Sequence, residues 1–220
     1  MPELYSGARM RRHDLVWIEA STPLAQLQVA EPWPPVLQDW LRQRRPLVVG
    51  RQPELAGERL RLGFTLPGRG PRSRVEVHAP RATITRHTPA PLLCDLQTHA
   101  PVAWQAAIAA LLAAFAAQGT QLRVYGSLVN QAYSGEACLR EDSDLDLLID
   151  CRDRAEALAS LALLQAHAAT PHLDGELRLA GWAVAWRELA RVLDDGPQAE
   201  LLVRSDTAVQ RMGVAAWLAS

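Results

Sequence analysis

Asp144 and Asp146 stand two positions apart and lead into the apolar run at residues 147–149. On a β-strand, residues two apart project from the same face, so both carboxylates would point to one place, about 6–7 Å apart along the strand. Two charges beside a buried strand are costly unless something binds them. Hard oxygen ligands in this arrangement suit Mg²⁺, which usually takes one or two carboxylates together with substrate phosphates. The pair therefore predicts a metal site.

The pair Gly126-Ser127 follows a predicted short strand, residues 122–125, and is expected to turn sharply into a helix. Gly126 has no Cβ, so it permits unusual dihedral angles and lets a phosphate approach the backbone. Ser127 can cap the helix and offers a hydroxyl, and backbone N–H groups at such a turn bind anions. A phosphate at this turn and a metal on the aspartates would hold a polyphosphate from two sides.

A second candidate for phosphate binding is the loop at residues 66–74, where three arginines stand among glycines and prolines. Arginine side chains bind phosphate through two parallel hydrogen bonds. Arg69, Arg72 and Arg74 are therefore predicted to form a flexible phosphate clamp. The alternative is a solvated loop between two strands.

The N-terminal part, residues 1–90, is predicted to be a smaller β-containing domain rich in arginine, which binds the substrate or a carrier protein. Its β-like runs are residues 15–19, 47–50, 60–65, 75–78 and 82–85. One amphipathic helix at about residues 35–44 places Trp40 on its apolar face, where we expect it to join the core. The stretch 88–92 is the predicted link to the next domain.

The C-terminal part, residues 91–220, is predicted to be the catalytic domain, an α/β fold of the α+β type with a mixed sheet and its acidic residues at one edge. Helices are predicted at residues 102–117, 153–168 and 207–218. Strands are predicted at residues 144–150 and 200–203, and a hairpin at residues 176–186 turns at Gly181. A polar loop, residues 134–142, precedes the strand that carries the aspartates.

The order of strand, Gly126-Ser127, helix, loop and Asp144-x-Asp146 resembles the DNA polymerase β-like nucleotidyltransferase superfamily over roughly residues 100–205. This resemblance implies that the two aspartates bind two divalent metal ions, with Mg²⁺ expected. It also implies that a third carboxylate from a later strand completes the site.

Two residues are candidates for that third carboxylate, Asp174 and Glu176, at the start of the next predicted strand. Asp174 is slightly favoured because its neighbour Gly175 allows a close approach. Two other aspartates near the site are expected to have other roles. Asp142 is expected to be solvated in the loop, and Asp150 to be a helix cap or the end of a strand.

A narrower resemblance spans nearly the whole chain and is to the malonate decarboxylase holo-acyl-carrier-protein synthases, which are phosphoribosyl-dephospho-CoA transferases. The segments that carry it are residues 12–17 (RHDLVW), 67–72 (PGRGPR), 125–131 (YGSLVNQ), 144–148 (DLDLL), 174–177 (DGEL) and 184–189 (VAWREL). It implies transfer of the phosphoribosyl-dephospho-CoA group from 2′-(5″-triphosphoribosyl)-3′-dephospho-CoA to a serine of the malonate decarboxylase acyl carrier protein, with release of pyrophosphate.

The residues alone leave two other functions open. One is a general nucleotidyltransferase that uses ATP or GTP to modify a small molecule or a protein. The other is a catalytically silent module that binds a nucleotide or a metal.

Composition and charge exclude several classes of protein. The 220 residues are 49% hydrophobic, enough for one domain or two small ones, and no apolar run reaches the roughly 18–20 residues of a membrane span. Residues 1–90 hold 14 arginines against 8 acidic residues, an excess too small and scattered for a nucleic-acid-binding protein. No signal peptide is evident, and Cys94, Cys138 and Cys151 lack metal-site spacing. We expect them to be reduced, in a cytoplasm.

Overall fold

The computed structural model describes residues 9–52, 57–68, 73–168, 171–193, 195–196 and 199–220. The chain divides into two compact units. The first is the chain up to Ala90 with two short returns, Tyr133–Glu136 and Asp206–Ala208. The second consists of Pro91–Ala132, Ala137–Ser205 and Val209–Ser220. Each unit has its own β-sheet.

The described part of the first unit contains five strands, namely β1 (Leu15–Ile18), β2 (Leu47–Val49), β3 (Arg59–Thr65), β4 (Arg74–Pro80) and β5 (Ile84–Thr88). They form an antiparallel sheet in the order β4-β3-β2-β1-β5. Buried and more exposed residues alternate along β3 and β4, because one face of these strands packs on a core. Each β-like run predicted in residues 1–90 overlaps one of these strands, so the predicted β-rich N-terminal part is confirmed.

The helix α1 (Pro34–Arg42) packs into the core of this unit. Trp40 of α1 is buried and stacks on Phe64 of β3 with 4.4 Å between the ring centroids, which confirms its predicted core position. The predicted strand at residues 82–85 is wrong in its first half. There the segment Arg81–Thr83 forms a 3₁₀ turn before β5 begins.

Within the described residues, the second unit contains six strands: β6 (Arg123–Val124), β7 (Leu145–Cys151), β8 (Leu173–Leu179), β9 (Trp182–Ala185), β10 (Glu200–Arg204) and β11 (Val209–Gly213). They form one sheet in the order β11-β10-β9-β8-β7-β6. The strands β7 and β8 are parallel, and the other neighbours are antiparallel. The predicted α/β fold with a mixed sheet is therefore confirmed.

The described helices of this part of the chain are α2 (Leu93–Leu96), α3 (Val102–Gln118), α4 (Ser127–Ser134), α5 (Arg154–Ala166), α6 (Trp186–Leu193) and α7 (Val214–Leu218). The predicted helices α3 and α5 are confirmed to within two residues at each end. Gly119 ends α3 in the left-handed conformation, with φ of 76°. Asp153 caps α5 by accepting a hydrogen bond of 2.9 Å from the N–H of Glu156. None of the helices in the described ranges combines the length and the apolar composition that a membrane crossing requires.

The helix α5 is the connection that makes β7 and β8 parallel, because parallel strands need a crossover of this kind. The predicted hairpin after it is confirmed. It turns at Ala180 and Gly181, whose positive φ values of 46° and 86° suit a two-residue turn between antiparallel strands. The strand β8 begins at Leu173, three residues earlier than predicted, which brings Asp174 into the sheet.

The last part of the chain departs from prediction in two places. The second strand of the hairpin is predicted to reach Trp186, but Trp186 begins α6, because Leu189 and Val192 follow at helical spacing and all three are buried. The single helix predicted at residues 207–218 is also wrong. Its first part is β11, which pairs with β10, and only Val214–Leu218 are helical.

Candidate active site

Asp146 and Asp174 are neighbours near the start of the parallel pair β7 and β8. Their Cα atoms are partners in the register of the two strands, and neighbouring strands lie about 4.7–4.9 Å apart. Both residues are half-buried. The side chains of partner residues project from the same face of a sheet. The carboxylates of Asp146 and Asp174, which we call the acidic pair, therefore stand side by side at one end of these two strands.

Gly126 lies directly against the Asp146 side chain. Its φ of 72° belongs to the left-handed region that favours glycine. A Cβ added to Gly126 would overlap Oδ2 of Asp146 and would lie 2.8 Å from its Cγ. The N–H of Tyr125 also donates a hydrogen bond of 3.0 Å to the carbonyl of Asp146. The turn after β6 is thus held against the acidic pair, and only glycine leaves room for the carboxylate.

The helix α4 begins at Ser127, immediately after this turn. The N–H of Asn130 donates a hydrogen bond of 3.1 Å to the carbonyl of Gly126. Gly126 therefore occupies the capping position, and the prediction that Ser127 caps the helix is wrong. Ser127 is the first helical residue and is half-buried. Helix N–H groups in a first turn have no partner within the helix, and such groups can bind an anion.

The amide of Gln131 fixes the polar loop that follows α4. Its Oε1 accepts hydrogen bonds of 3.2 Å from the N–H groups of Cys138 and Leu139. Its Nε2 donates a hydrogen bond of 2.8 Å to the carbonyl of His99. Gln131 stands in a segment that carries the resemblance, but nothing in its spacing indicated this role, because its partners are backbone groups of other segments.

Asp144 lies just before β7 and is exposed, since the strand begins at Leu145 and not at residue 144 as predicted. A turn leads into it. The Ser143 hydroxyl accepts a hydrogen bond of 2.9 Å from the N–H of Arg140. The N–H of Leu145 donates a hydrogen bond of 2.8 Å to the carbonyl of His172, and this bond begins the pairing of β7 with β8. Asp144 is therefore carried on a fixed turn beside the acidic pair.

Glu176 has a different environment from Asp174. Its Cα partners are Leu148 on one side and Ala185 on the other, so it lies inside the sheet. It is buried, with 8% of its surface exposed. The next pair along the same face is an ion pair, in which Arg178 donates hydrogen bonds of 2.5 Å and 2.9 Å to Asp150. Asp150 is the last residue but one of β7, which agrees with the predicted strand end, whereas the cap of α5 is Asp153 and not Asp150.

Gly175 allows β7 and β8 to approach each other closely. Its φ is 128°, and a Cβ there would overlap the carbonyl oxygen of Leu147 and would lie 2.6 Å from the Leu147 nitrogen. The close approach expected at Gly175 is thus between the backbones of β7 and β8.

The structure describes two of the other residues that the sequence analysis named. Asp142 is exposed in the turn before β7. Arg74 is exposed at the first position of β4, in the first unit. Arg69 and Arg72 lie outside the described residues.

The donor set of the acidic pair suits a magnesium ion that shares its shell with phosphates. Where the structure describes side chains, no group of three or more His, Cys, Asp or Glu residues is gathered closely enough to hold a metal ion by itself. Mg²⁺ usually takes only one or two carboxylates and completes its shell with water and substrate phosphates. Asp146 and Asp174 supply two such carboxylates, and the carboxylate of Asp144 stands immediately before β7.

Cysteine chemistry does not fit this part of the molecule. Cys151, at the end of β7, is buried, and burial raises the pKa of its thiol to about 12. A thiol with that pKa is protonated at neutral pH and is a poor nucleophile.

The chain matches two family models that together span most of its length. The first is described as the Phosphoribosyl-dephospho-CoA transferase MdcG N-terminal domain and matches residues 11–90. The second is described as the Phosphoribosyl-dephospho-CoA transferase MdcG C-terminal domain and matches residues 92–215. The acidic pair, Gly126 and Ser127 all lie within the second match.

Similar proteins named phosphoribosyl-dephospho-CoA transferase occur in several bacteria. The protein of Xanthomonas campestris pv. campestris is 39% identical over 184 residues, which cover 81% of this chain and 85% of the relative. That of Xanthomonas axonopodis pv. citri is 39% identical over 201 residues, covering 89% and 90%. That of Bradyrhizobium diazoefficiens is 30% identical over 200 residues, covering 88% and 86%. No solved structure matches the chain.

Proposed function

The chain belongs to the phosphoribosyl-dephospho-CoA transferase MdcG family, and on that premise we propose how it performs the transfer. The donor is 2′-(5″-triphosphoribosyl)-3′-dephospho-CoA, and the acceptor is a serine of the malonate decarboxylase acyl carrier protein. The observation that carries the proposal is the in-register pair Asp146 and Asp174 with Gly126 against it. A triphosphate needs cations, and carboxylates gathered at one edge of a sheet attract them.

Asp144, Asp146 and Asp174 would hold the metal, with two Mg²⁺ ions expected. When bound, Mg²⁺ would offset charge on the departing pyrophosphate and lower the pKa of the acceptor hydroxyl.

The residues of the chain bind and align the two reactants. The serine oxygen forms a bond to the first phosphorus of the triphosphate, and the bond from that phosphorus to pyrophosphate breaks. Backbone N–H groups after Gly126, together with the Ser127 hydroxyl, hold the outer phosphates in line. A carboxylate of the pair, Asp174 in our assignment, accepts the proton of the serine hydroxyl. Most of the rate gain comes from positioning and electrostatics, as in phosphoryl transfer generally.

We assign the third carboxylate to Asp174 and not to Glu176. Asp174 is opposite Asp146 and half-buried, so a ligand at the end of the strand pair can reach both side chains. Glu176 is two residues further along β8, about 6–7 Å away, and is buried between β7 and β9. Its side chain is on the same face as Asp174 but is covered, so it is less accessible to a ligand at the end of the strand pair.

The experiment is the intact mass of the acyl carrier protein after incubation with this protein, Mg²⁺ and the triphosphoribosyl donor. A mass gain equal to the phosphoribosyl-dephospho-CoA group, lost on addition of EDTA, supports the proposal. A parallel reaction contains ATP in place of the donor. A gain of AMP there, with none from the donor, would replace the proposal with a general nucleotidyltransferase. No gain in either reaction would favour a silent binding module.

A further inference from the structure

Arg187, in the first turn of α6, is fixed beside the acidic pair. Its Nε donates a hydrogen bond of 3.0 Å to the carbonyl of Leu173. Leu173 is the first residue of β8 and directly precedes Asp174, so the two Cα atoms are about 3.8 Å apart. The carbonyl is accessible because β9 ends at Ala185, before it could pair with that part of β8. The turn from β9 into α6 thus places a cation at the same end of the sheet as Asp174.

A second contact holds the same side chain. The guanidinium carbon of Arg187 lies 4.6 Å from the centroid of the Trp186 ring, over its face. Trp186 itself is buried, with 3% of its surface exposed, so this support is part of the core. An arginine fixed by a hydrogen bond and by an aromatic face loses less conformational entropy when it binds a ligand.

Most of the hydrogen-bonding capacity of Arg187 is unused. A guanidinium has five N–H donors, and the bond to Leu173 takes one of them. Among the described residues, no carboxylate is within ion-pair distance of Arg187, and its two terminal nitrogens make no hydrogen bond. Arg178 of β8 contrasts with it, because its Nε and one terminal nitrogen donate hydrogen bonds to the carboxylate of Asp150. Arg187 is therefore a fixed cation with donors left for an anion.

We propose that Arg187 binds non-bridging oxygens of the triphosphate and of the pyrophosphate product. This inference rests on the proposed function and adds a positive group to a site defined so far by acidic residues. Arginine binds phosphate through two parallel hydrogen bonds, and a fixed donor is most effective where negative charge develops. Arg187 would hold the polyphosphate from the β8 side, with the first turn of α4 on the other.

The test is the affinity for inorganic pyrophosphate in the presence of Mg²⁺, measured by calorimetry, together with the KM of the triphosphoribosyl donor. The variant is Arg187→Gln, which keeps a long stem over Trp186 and removes the charge. The control is Arg191→Gln, which removes an exposed arginine from the same helix, one turn further on. Thermal melting checks that both variants are folded, and Arg187→Met, which also keeps a long stem and removes the charge, replaces the glutamine variant if that variant does not fold.

We expect Arg187→Gln to weaken pyrophosphate binding and raise the donor KM by about tenfold or more, the size of a lost hydrogen bond to a charged group. The KM of the carrier protein and the pyrophosphate affinity of Arg191→Gln should stay as in the wild type. Unchanged affinity in Arg187→Gln, or an equal loss in Arg191→Gln, would overturn the inference, as would a wild-type protein that binds no pyrophosphate. Failure of the wild type to modify the carrier would overturn the proposed function, and the binding comparison would still decide the role of Arg187.

Discussion

Asp146 of β7 and Asp174 of β8 are Cα partners on two parallel strands, and a helix separates them in the chain. The crossover through α5 joins the two strands, and Gly175 permits their close approach. Like charges side by side repel each other, and a bound cation would offset the charge of such a pair. This arrangement is the basis for assigning catalysis to this end of the sheet.

The register predicts which carboxylate completes the site. Asp174→Asn should lower the rate of transfer to the carrier protein by about a hundredfold or more, because it removes a preorganised charge. Glu176→Gln should leave the rate within a few-fold of the wild type, since Glu176 is buried further along β8 from the end of the strand pair. Initial rates by intact mass, on variants with normal melting curves, give the comparison. The reverse order of effects would move the third ligand to Glu176.

Gly126 should be essential for activity because of the Asp146 side chain. In Gly126→Ala the new methyl group would overlap that carboxylate and displace it, so we expect at least a hundredfold loss of transfer. The matched control is Gly135→Ala. Gly135 has nearly the same φ, 71° against 72°, but a Cβ there would contact nothing within 4 Å. Equal losses in the two variants would mean that backbone strain, and not the displaced carboxylate, causes the effect.

Gly175 should be important mainly for stability. Gly175→Ala combines a strained φ with a clash against the Leu147 backbone, so we expect the free energy of unfolding to fall by about 3 kcal/mol or more. Gly181→Ala has a positive φ without any clash and should cost about 1–2 kcal/mol. Chemical denaturation of the two variants measures the difference. Similar losses would show that β7 and β8 can separate to accommodate a side chain.

The sequence predicted the local parts of this site better than their assembly. Gly126, Asp146 and the cap Asp153 are recognisable because glycine conformation, strand periodicity and capping act over a few residues. The choice between Asp174 and Glu176 depends on the register across α5, which no local pattern specifies. The segment of β11 has no clear periodicity, so the sequence favours a helix there. Its pairing with β10 makes it a strand, and this pairing is not visible in the local sequence. Arg187 stands in a segment that carries the resemblance, but its spacing does not indicate its hydrogen bond, because the partner is a backbone carbonyl.

Acid should destabilise the second unit through Glu156. Burial alone would raise the pKa of Glu156, but hydrogen bonds from Arg152 and Thr120 outweigh it and lower that pKa below its usual 4.5. The carboxylate therefore adds stability above about pH 4.5, and this contribution is lost as the pH falls through the lower folded-state pKa.

The free energy of unfolding of wild type and Glu156→Gln, measured from pH 3 to 7, tests this. The difference between them should be constant above about pH 5 and shrink in acid. Glu141→Gln, which changes an exposed residue of the loop before β7, is the control. A difference that does not depend on pH would rule out a contribution from the charge.

The most direct test of the central claim is single-turnover transfer by Asp146→Asn. The folded variant, with saturating triphosphoribosyl donor and Mg²⁺, is mixed with the acyl carrier protein, and the intact mass of the carrier is followed over time. We predict that the wild type adds the phosphoribosyl-dephospho-CoA group and that Asp146→Asn adds it about a thousandfold more slowly or not at all. Transfer by Asp146→Asn at the wild-type rate would contradict the assignment of the reaction to this pair of strands.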